Sequence, residues 1–313
     1  MAETRTFQIR PVPPYDFDLT AGYITYFSGR YATDTYENGE YRRLLDLGGK
    51  LMLARVRSAG TLDAPVLNVS LSAESIDDGD ENAARRQIDA LLGANDDLSP
   101  FYGMAAQDPH LAAVADGMRG LHMPRLGSVY ESLVLAILGQ QISIHVARML
   151  RRLLIETCGR SVEIEGERYY LFPTPQAVVE AGLEGLRAIK FSARKAEYVL
   201  GISSGVLDGS LRLEELHEKA SDDIVKTLVS IRGVGEWTAH WLLIRGVNHP
   251  DGFPHGDLAL QRIMGRLVNG GEPMAAQDAL EYSKRWSPLR SYVTTYLFAA
   301  MRSGRLDAIL GEA

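Results

Sequence analysis

Three groups of residues have types and spacings that could do chemistry, and they fall within one stretch of the chain. The first is a carboxylate. Asp257 follows a loop rich in Gly and Pro, GFPHG at 252–256, and opens an apolar-periodic run that reads as a helix. Taken alone, it reads as a helix cap, worth about 1 kcal/mol. A carboxylate fixed by capping can also stabilise positive charge in a transition state, or orient an attacking water. The second group is a pair of indoles. Trp237 and Trp241 lie at i, i+4 and share one helix face. Aromatic faces hold electron-poor or cationic rings by stacking and cation–π attraction, worth about 0.5 to 2 kcal/mol. Core filling is nevertheless the commoner fate of any one aromatic. The third group is Arg232-Gly233-Val234-Gly235, a tight turn between two helical runs. Its glycines allow positive φ and close approach of the backbone to a ligand. The helix that starts there turns free N–H groups and its positive dipole end toward the same spot, where a phosphate fits. Val234 would point inward as the apolar anchor of the turn. An ordinary αα-hairpin with a Gly cap accounts for the same four residues.

Stepping outward, the elements that must position these groups divide the chain in two. Residues 6–11 read as a strand that Pro13-Pro14 stops. Residues 16–30 read as a helix with Leu19, Tyr23, Tyr26 and Phe27 on one face, and three strand-like runs follow, the first with an Asn-Gly turn signal at 38–39. Residues 80–93 read as an amphipathic helix, and the acidic SIDDGDE before it as a solvated turn. This order predicts a compact α+β domain over 1–97. NDDLSP at 95–100 reads as a linker. From 98 to 313 the chain reads as all helical, with the hairpin at about 221–246. Ser128 and Glu131 form a predicted capping box, and RSVEIEGERYYLFPTP at 160–175 interrupts the pattern as a hairpin or ordered loop.

Composition excludes several classes. The 313 residues carry a net charge of −7, 46% hydrophobic and 23% charged residues, which is the ordinary globular range. That balance argues against a coat of positive charge, but leaves room for a local basic face. One cysteine, Cys158, excludes an intramolecular disulfide and a four-Cys iron–sulfur cluster. The N-terminus shows no signal pattern and no run reaches transmembrane length, so the expectation is a cytoplasmic protein without a membrane partner.

The fuller pattern LVSIRGVGEWTA at 228–239, with GFPHGD at 252–257, resembles the DNA glycosylase superfamily named for its helix-hairpin-helix, Gly/Pro-rich loop and Asp. More narrowly, PPYDF at 13–17, AILGQQIS at 136–143, FPTPQ at 172–176, GVGEWTA at 233–239 and RWSPLRSY at 285–292 resemble the 3-methyladenine DNA glycosylase II family across almost the whole chain. The resemblance implies an N-terminal domain like half of a TATA-binding-protein fold, an antiparallel sheet with helices, followed by an all-helical glycosylase core. It implies that Asp257 is the catalytic carboxylate, acting as charge builds on the sugar of a cleaved N-glycosidic bond. It places Trp237, where strand-cutting relatives carry a Schiff-base Lys, in a monofunctional enzyme that starts base-excision repair of alkylated bases.

The same resemblance implies a base pocket from Trp237, Trp241, Phe298 and Tyr23, with Leu258 where the family often has an aromatic. It makes Gln141 the side chain that fills the gap left by a flipped base, which would otherwise cost a few kcal/mol. Gln140 and Gln141 could equally cap a buried helix turn. The hairpin residues Arg232, Gly233, Val234 and Gly235 would hold the DNA backbone, with a sodium or potassium ion on the carbonyls of Val229, Ile231 and Val234. No other cofactor is expected. Arg194, Lys195, Lys284, Arg285, Arg290 and Ser291 are candidate phosphate contacts, or simply solvated helix ends. The expected partner is double-stranded DNA with a damaged base, bound by a monomer. The alternatives are a non-catalytic hairpin protein that binds DNA, and a glycosylase for oxidised or deaminated bases.

Overall fold

A computed structural model describes residues 3–311. The chain begins with β1 (Glu3–Ile9), α1 (Phe17–Ile24), β2 (Arg30–Tyr31), β3 (Asp34–Glu37), β4 (Glu40–Leu47), β5 (Lys50–Ser58), β6 (Leu67–Ala73) and α2 (Asp78–Leu92). The strands form one antiparallel sheet in the order β1-β6-β5-β4-β3-β2. The α+β expectation is met, with three local differences. The first strand-like run is two strands, because Asn38 and Gly39 adopt φ of 52° and 71°, as a tight hairpin requires. The acidic stretch is a working cap: the Asp77 carboxylate accepts from Asp80 N, and the Asp80 carboxylate accepts from Asp77 N. The helix predicted over 16–30 stops at Ile24. Thr25 Oγ1 donates to Gly22 O, and the chain turns through left-handed Tyr26 and Phe27.

The helical part comprises α3 (Ser99–Ala105), α4 (Pro109–Gly117), α5 (Val129–Gly139), α6 (Ile144–Cys158), α7 (Pro175–Ala188), α8 (Ala193–Leu207), α9 (Ser221–Val229), α10 (Glu236–Arg245), α11 (Leu258–Val268), α12 (Ala276–Ser283), α13 (Arg290–Arg302) and α14 (Leu306–Leu310). The interruption at 160–175 is a hairpin of β7 (Ser161–Ile164) and β8 (Glu167–Tyr170). It lies against the sheet, where Ile164 packs with Leu44 and Leu53, and Arg55 and Arg42 pair with Glu165 and Glu167.

The apolar interior falls into two helical cores besides that of the sheet. One joins side chains of α5, α6, α8, α9 and α10. The other joins α3, α4, α11 and α13 with Leu19 and Tyr23 of α1. Helix α1 serves two cores because Phe17, Ala21 and Ile24 face the sheet instead. Helix α10 also straddles a boundary: Ala239, Leu242 and Leu243 lie in the first helical core, and Trp241 packs against the second.

A buried ionic group ties the sheet to α5. Arg43 donates to Asp34 at 2.8 Å and to Glu131 at 2.7 Å, and Tyr41 OH donates to Asp34 at 2.5 Å. This corrects the predicted capping box. Ser128 Oγ does accept from Glu131 N at 3.0 Å, but the Glu131 carboxylate is held by Arg43. Among the described residues no helix is long and apolar enough to cross a membrane.

Candidate active site

Asp257 is delivered by a braced loop. Arg290 grips Asp251 through Nε–Oδ1 at 2.6 Å and Nη2–Oδ2 at 2.8 Å. Ser291 Oγ donates to His249 O at 2.6 Å and accepts from Gly252 N at 2.7 Å. Phe253 is buried beneath the loop, and Asp257 N closes the turn onto Pro254 O at 2.8 Å. The carboxylate then meets four donors. Oδ1 accepts from Ala259 N at 2.9 Å and Leu260 N at 3.2 Å, the first turn of α11. Oδ2 accepts from Trp237 Nε1 at 2.8 Å and Trp241 Nε1 at 3.3 Å. One oxygen caps a helix, and the other is held by both indoles.

These groups border a cavity of about 180 Å³ lined by Trp237, Trp241, Arg245 and Leu242 of α10, by Tyr26, Tyr31, Arg151 and Arg302, and by Asp257 at its edge. A larger cleft of about 460 Å³ lies between the sheet and α5, but its buried carboxylate, Glu131, is committed to Arg43. The smaller cavity is the candidate site because it holds the carboxylate with the aromatic rings.

Of the predicted pocket residues, Trp237 and Trp241 line the cavity. Phe298 lies behind Trp241, ring centres 4.9 Å apart, and is buried. Tyr23 is fully buried behind Tyr26. Both therefore support the wall and are not its surface. Leu258 does not belong to the pocket: it is 67% exposed on the first turn of α11. Tyr26, Arg245 and Arg302 were not anticipated. Arg245 and Arg302 lie one helical step beyond a predicted residue, four past Trp241 and four past Phe298, so extending the same face by one turn would have found both. Tyr26 lies in the left-handed turn that ends α1, which helical spacing does not reach. Burial opposes ionisation of the Tyr26 phenol, but Arg245, Arg302 and Arg151 outweigh it and hold its pKa down at about 8. Burial and the neighbouring Tyr26 push the Tyr31 phenol up.

The hairpin has the expected geometry. Gly233 has φ 97°, and a Cβ there would sit 2.5 Å from the Tyr198 ring. Val234 is buried in the first helical core, and its N–H donates to Ile231 O at 3.0 Å. Gly235 precedes α10 with no side-chain cap and open space around its Cα, so the first N–H groups of α10 face outward. Arg232 leans on α8, its guanidinium 3.3 Å from Glu197 and over the Tyr198 ring. Gln141 is exposed at the turn between α5 and α6 with φ 54°, a conformation uncommon outside Gly and Asn.

Other candidates for DNA contact have internal tasks. Gln140 donates to Gly233 O at 2.9 Å and Thr238 Oγ1 at 3.2 Å, so it pins the hairpin. Lys195 donates to Leu138 O at 2.8 Å at the end of α5, and burial followed by Arg151 lowers its pKa. Ser291 is fully buried, and Arg290 is committed to Asp251, so both hold the Asp257 loop instead of facing a phosphate. Lys284 pairs with Glu281, and Arg285 stacks on Tyr282. Arg194 is exposed at the start of α8.

A hairpin that exposes helix N–H groups, a second helix capped by a carboxylate, and an aromatic cavity between them define the DNA glycosylase class. Comparison with known proteins agrees. The pattern of the HhH-GPD superfamily of base excision DNA repair proteins matches residues 134–288. The chain is 34% identical over 216 residues to a DNA-3-methyladenine glycosylase of Bacillus subtilis (strain 168), covering 69% of this chain and 71% of the relative. The structure of a 3-methyladenine DNA-glycosylase from Archaeoglobus fulgidus superposes with a TM-score of 0.82 at 27% identity, covering 95% of this chain and 98% of that one. An 8-oxoguanine glycosylase/lyase of Clostridium acetobutylicum in complex with double-stranded DNA shares the fold, with a TM-score of 0.76 at 18% identity over 97% of this chain and 98% of that one. The chain belongs to the 3-methyladenine DNA glycosylase family of the HhH-GPD superfamily.

Proposed function

We propose that this protein is a monofunctional DNA N-glycosylase that flips an alkylated base out of duplex DNA and hydrolyses its N-glycosidic bond. The observation that carries this reading is the setting of Asp257. Its carboxylate stands at the edge of the cavity, fixed by two indole N–H groups and two helix N–H groups. A carboxylate so fixed can stabilise an oxocarbenium-like sugar without first reorganising. Among the described residues no lysine lines the cavity, which supports attack by water over a Schiff base. The hairpin would supply neutral backbone donors to a phosphate, and Gln141, exposed at the turn between α5 and α6, would enter the duplex as the base leaves. The carbonyls of Val229, Ile231 and Val234 are hard oxygen donors of the kind an alkali cation takes. Ile231 O already accepts from Val234 N, but a carbonyl has a second lone pair. A bound cation would supply positive charge beside a DNA phosphate. The working unit is a monomer on duplex DNA.

The test is a duplex with one 3-methyladenine. Free base and an intact abasic strand are expected, and direct strand cleavage would contradict the monofunctional assignment. Asp257→Asn keeps the oxygen acceptor for the cap but loses the charge. It should release base at least about 100-fold more slowly and still bind an abasic duplex. Release at the native rate would leave Asp257 a cap and nothing more.

A further inference from the structure

The turn between α5 and α6 is restrained from both sides and from outside. Gln140, Gln141, Ile142 and Ser143 join the two helices, and Gln141 sits exposed at φ 54°. A left-handed residue other than glycine is strained, and it persists only where its surroundings fix it. Before it, the last turn of α5 is clamped. Arg151 Nη2 donates to Leu135 O at 3.0 Å, and Lys195 Nζ donates to Leu138 O at 2.8 Å. Gly139 leaves room for the clamp, because Arg151 Nη2 lies 2.8 Å from where a Cβ would stand. After it, Ile142 packs on the first helical core, and Ser143 Oγ accepts from Val146 N at 3.4 Å as α6 begins. Gln140 supplies the restraint from outside. Its Nε2 donates to Gly233 O at 2.9 Å and to Thr238 Oγ1 at 3.2 Å, 93 and 98 residues away.

The peptide that Gln140 meets is itself held at both ends. Its carbonyl, on Gly233, accepts from Gln140, and its N–H, on Val234, donates to Ile231 O at 3.0 Å. The Tyr198 ring closes another side, 2.5 Å from where a Cβ on Gly233 would stand. The next residue, Gly235, opens α10 with clear space around it, where a DNA phosphate would be taken. One side chain therefore joins the turn that would grip the backbone to the neighbour of the residue that would enter the duplex. Both hydrogens of its Nε2 are in use, so Gln140 keeps no donor for the DNA itself. Through this link, a phosphate that seats the hairpin also holds Gln141 in place, and the turn need not be ordered a second time when the base leaves.

We propose that Gln140 is a positioning residue that couples the hairpin to Gln141, so that seating the DNA backbone at Gly235 and inserting Gln141 behind the flipped base occur as one event. The proposal rests on the roles read above for the hairpin and for Gln141. It is tested by a double-mutant cycle on the full chain. The readouts are single-turnover release of 3-methyladenine from a duplex and the fluorescence of 2-aminopurine placed beside the lesion, which reports flipping. Gln140→Met keeps the length of the side chain and loses both donors. With Gln141 present it should slow flipping and release by roughly 30-fold, the effect of two neutral hydrogen bonds. In the Gln141→Ala background it should slow them by no more than about 2-fold, because the residue it positions is gone. Thr238→Val removes one of the two acceptors and should show the same dependence on Gln141 at about 5-fold. It decides the matter if Gln140→Met does not fold. Equal slowing with and without Gln141 would make Gln140 a structural residue and overturn the proposal. Native rates from Gln141→Ala alone would overturn the reading of Gln141 and the proposal with it. Native protein that releases no base would instead overturn the glycosylase reading on which both stand.

Discussion

At the scale of single residues, Asp257 combines two tasks that a sequence reading sets against each other. Oδ1 belongs to the helix and Oδ2 to the indoles. The two can be separated. Asp257→Ala should lose base release and also about 1 kcal/mol of stability through the cap, while Asp257→Asn should lose release with an unchanged melting temperature. Equal destabilisation of both variants would show that the indole bonds, not the cap, fix the loop. The phenol of Tyr26 gives a second test. It faces Arg245 of α10, Arg302 of α13, Arg151 of α6, Tyr23 of α1 and Tyr31 of β2. Its pKa is held down from 10.0 to about 8, so its contribution to stability is complete above the unfolded value and is lost as pH falls through about 8. Phenolate absorbance should show one tyrosine ionising near pH 8, and Arg245→Met should move it upward. An unmoved titration would mean that Arg245 does not act on this ring.

At the scale of elements, the two glycines of the hairpin do different work. Gly233 needs its left-handed φ and its closeness to Tyr198, whereas Gly235 has ordinary extended φ and open space around it. Gly233→Ala should cost at least about 1 kcal/mol of stability and weaken DNA binding with it. Gly235→Ala should weaken binding while the melting temperature holds, because only the approach of a phosphate is obstructed. The reverse pattern would show that the turn does not meet DNA. The loop before Asp257 is the second such element. Ser291→Ala leaves Gly252 N and His249 O without their partner, at about 1 to 3 kcal/mol. The turnover rate should fall, while DNA affinity stays constant. A weakened affinity with an unchanged melting temperature would restore Ser291 to the phosphate contacts.

At the scale of the molecule, the cavity exists because separate cores are held in one arrangement. It takes its wall from α10, its Asp257 from the loop ahead of α11, its Tyr26 from the turn after α1 and its Arg302 from the end of α13. The sheet reaches the helices through Arg43, Asp34 and Glu131, all buried. Arg43→Met would leave two carboxylates buried without their cation, a loss of roughly 3 to 5 kcal/mol. Denaturant unfolding should show that loss, with base release falling because Tyr26 and Tyr31 belong to the sheet side of the cavity. A change below about 1 kcal/mol would mean that apolar contacts alone dock the sheet.

What the sequence by itself determined is whatever depends on local periodicity and turn chemistry. The α+β start, the Asn38-Gly39 hairpin, the αα-hairpin at Gly233, the cap at Asp257 and the pairing of Trp237 with Trp241 on one face all follow from spacing within a few residues. So do the motif strings that place the chain in its family. What only the tertiary structure decided is which side chains meet across elements far apart in the chain. Arg290 and Ser291 look like surface cations and hydroxyls in sequence, yet they close on Asp251 and Gly252 some 40 residues away. Glu131 sits at a capping-box position, but its carboxylate goes to Arg43, because the pairing partner of a buried charge is chosen by the fold and not by the nearest turn. Arg245 carries the same lesson into the pocket. Its helix face was legible from the two indoles, but its lack of any acceptor among the described residues appears only when the neighbouring helices and the turn after α1 close around it.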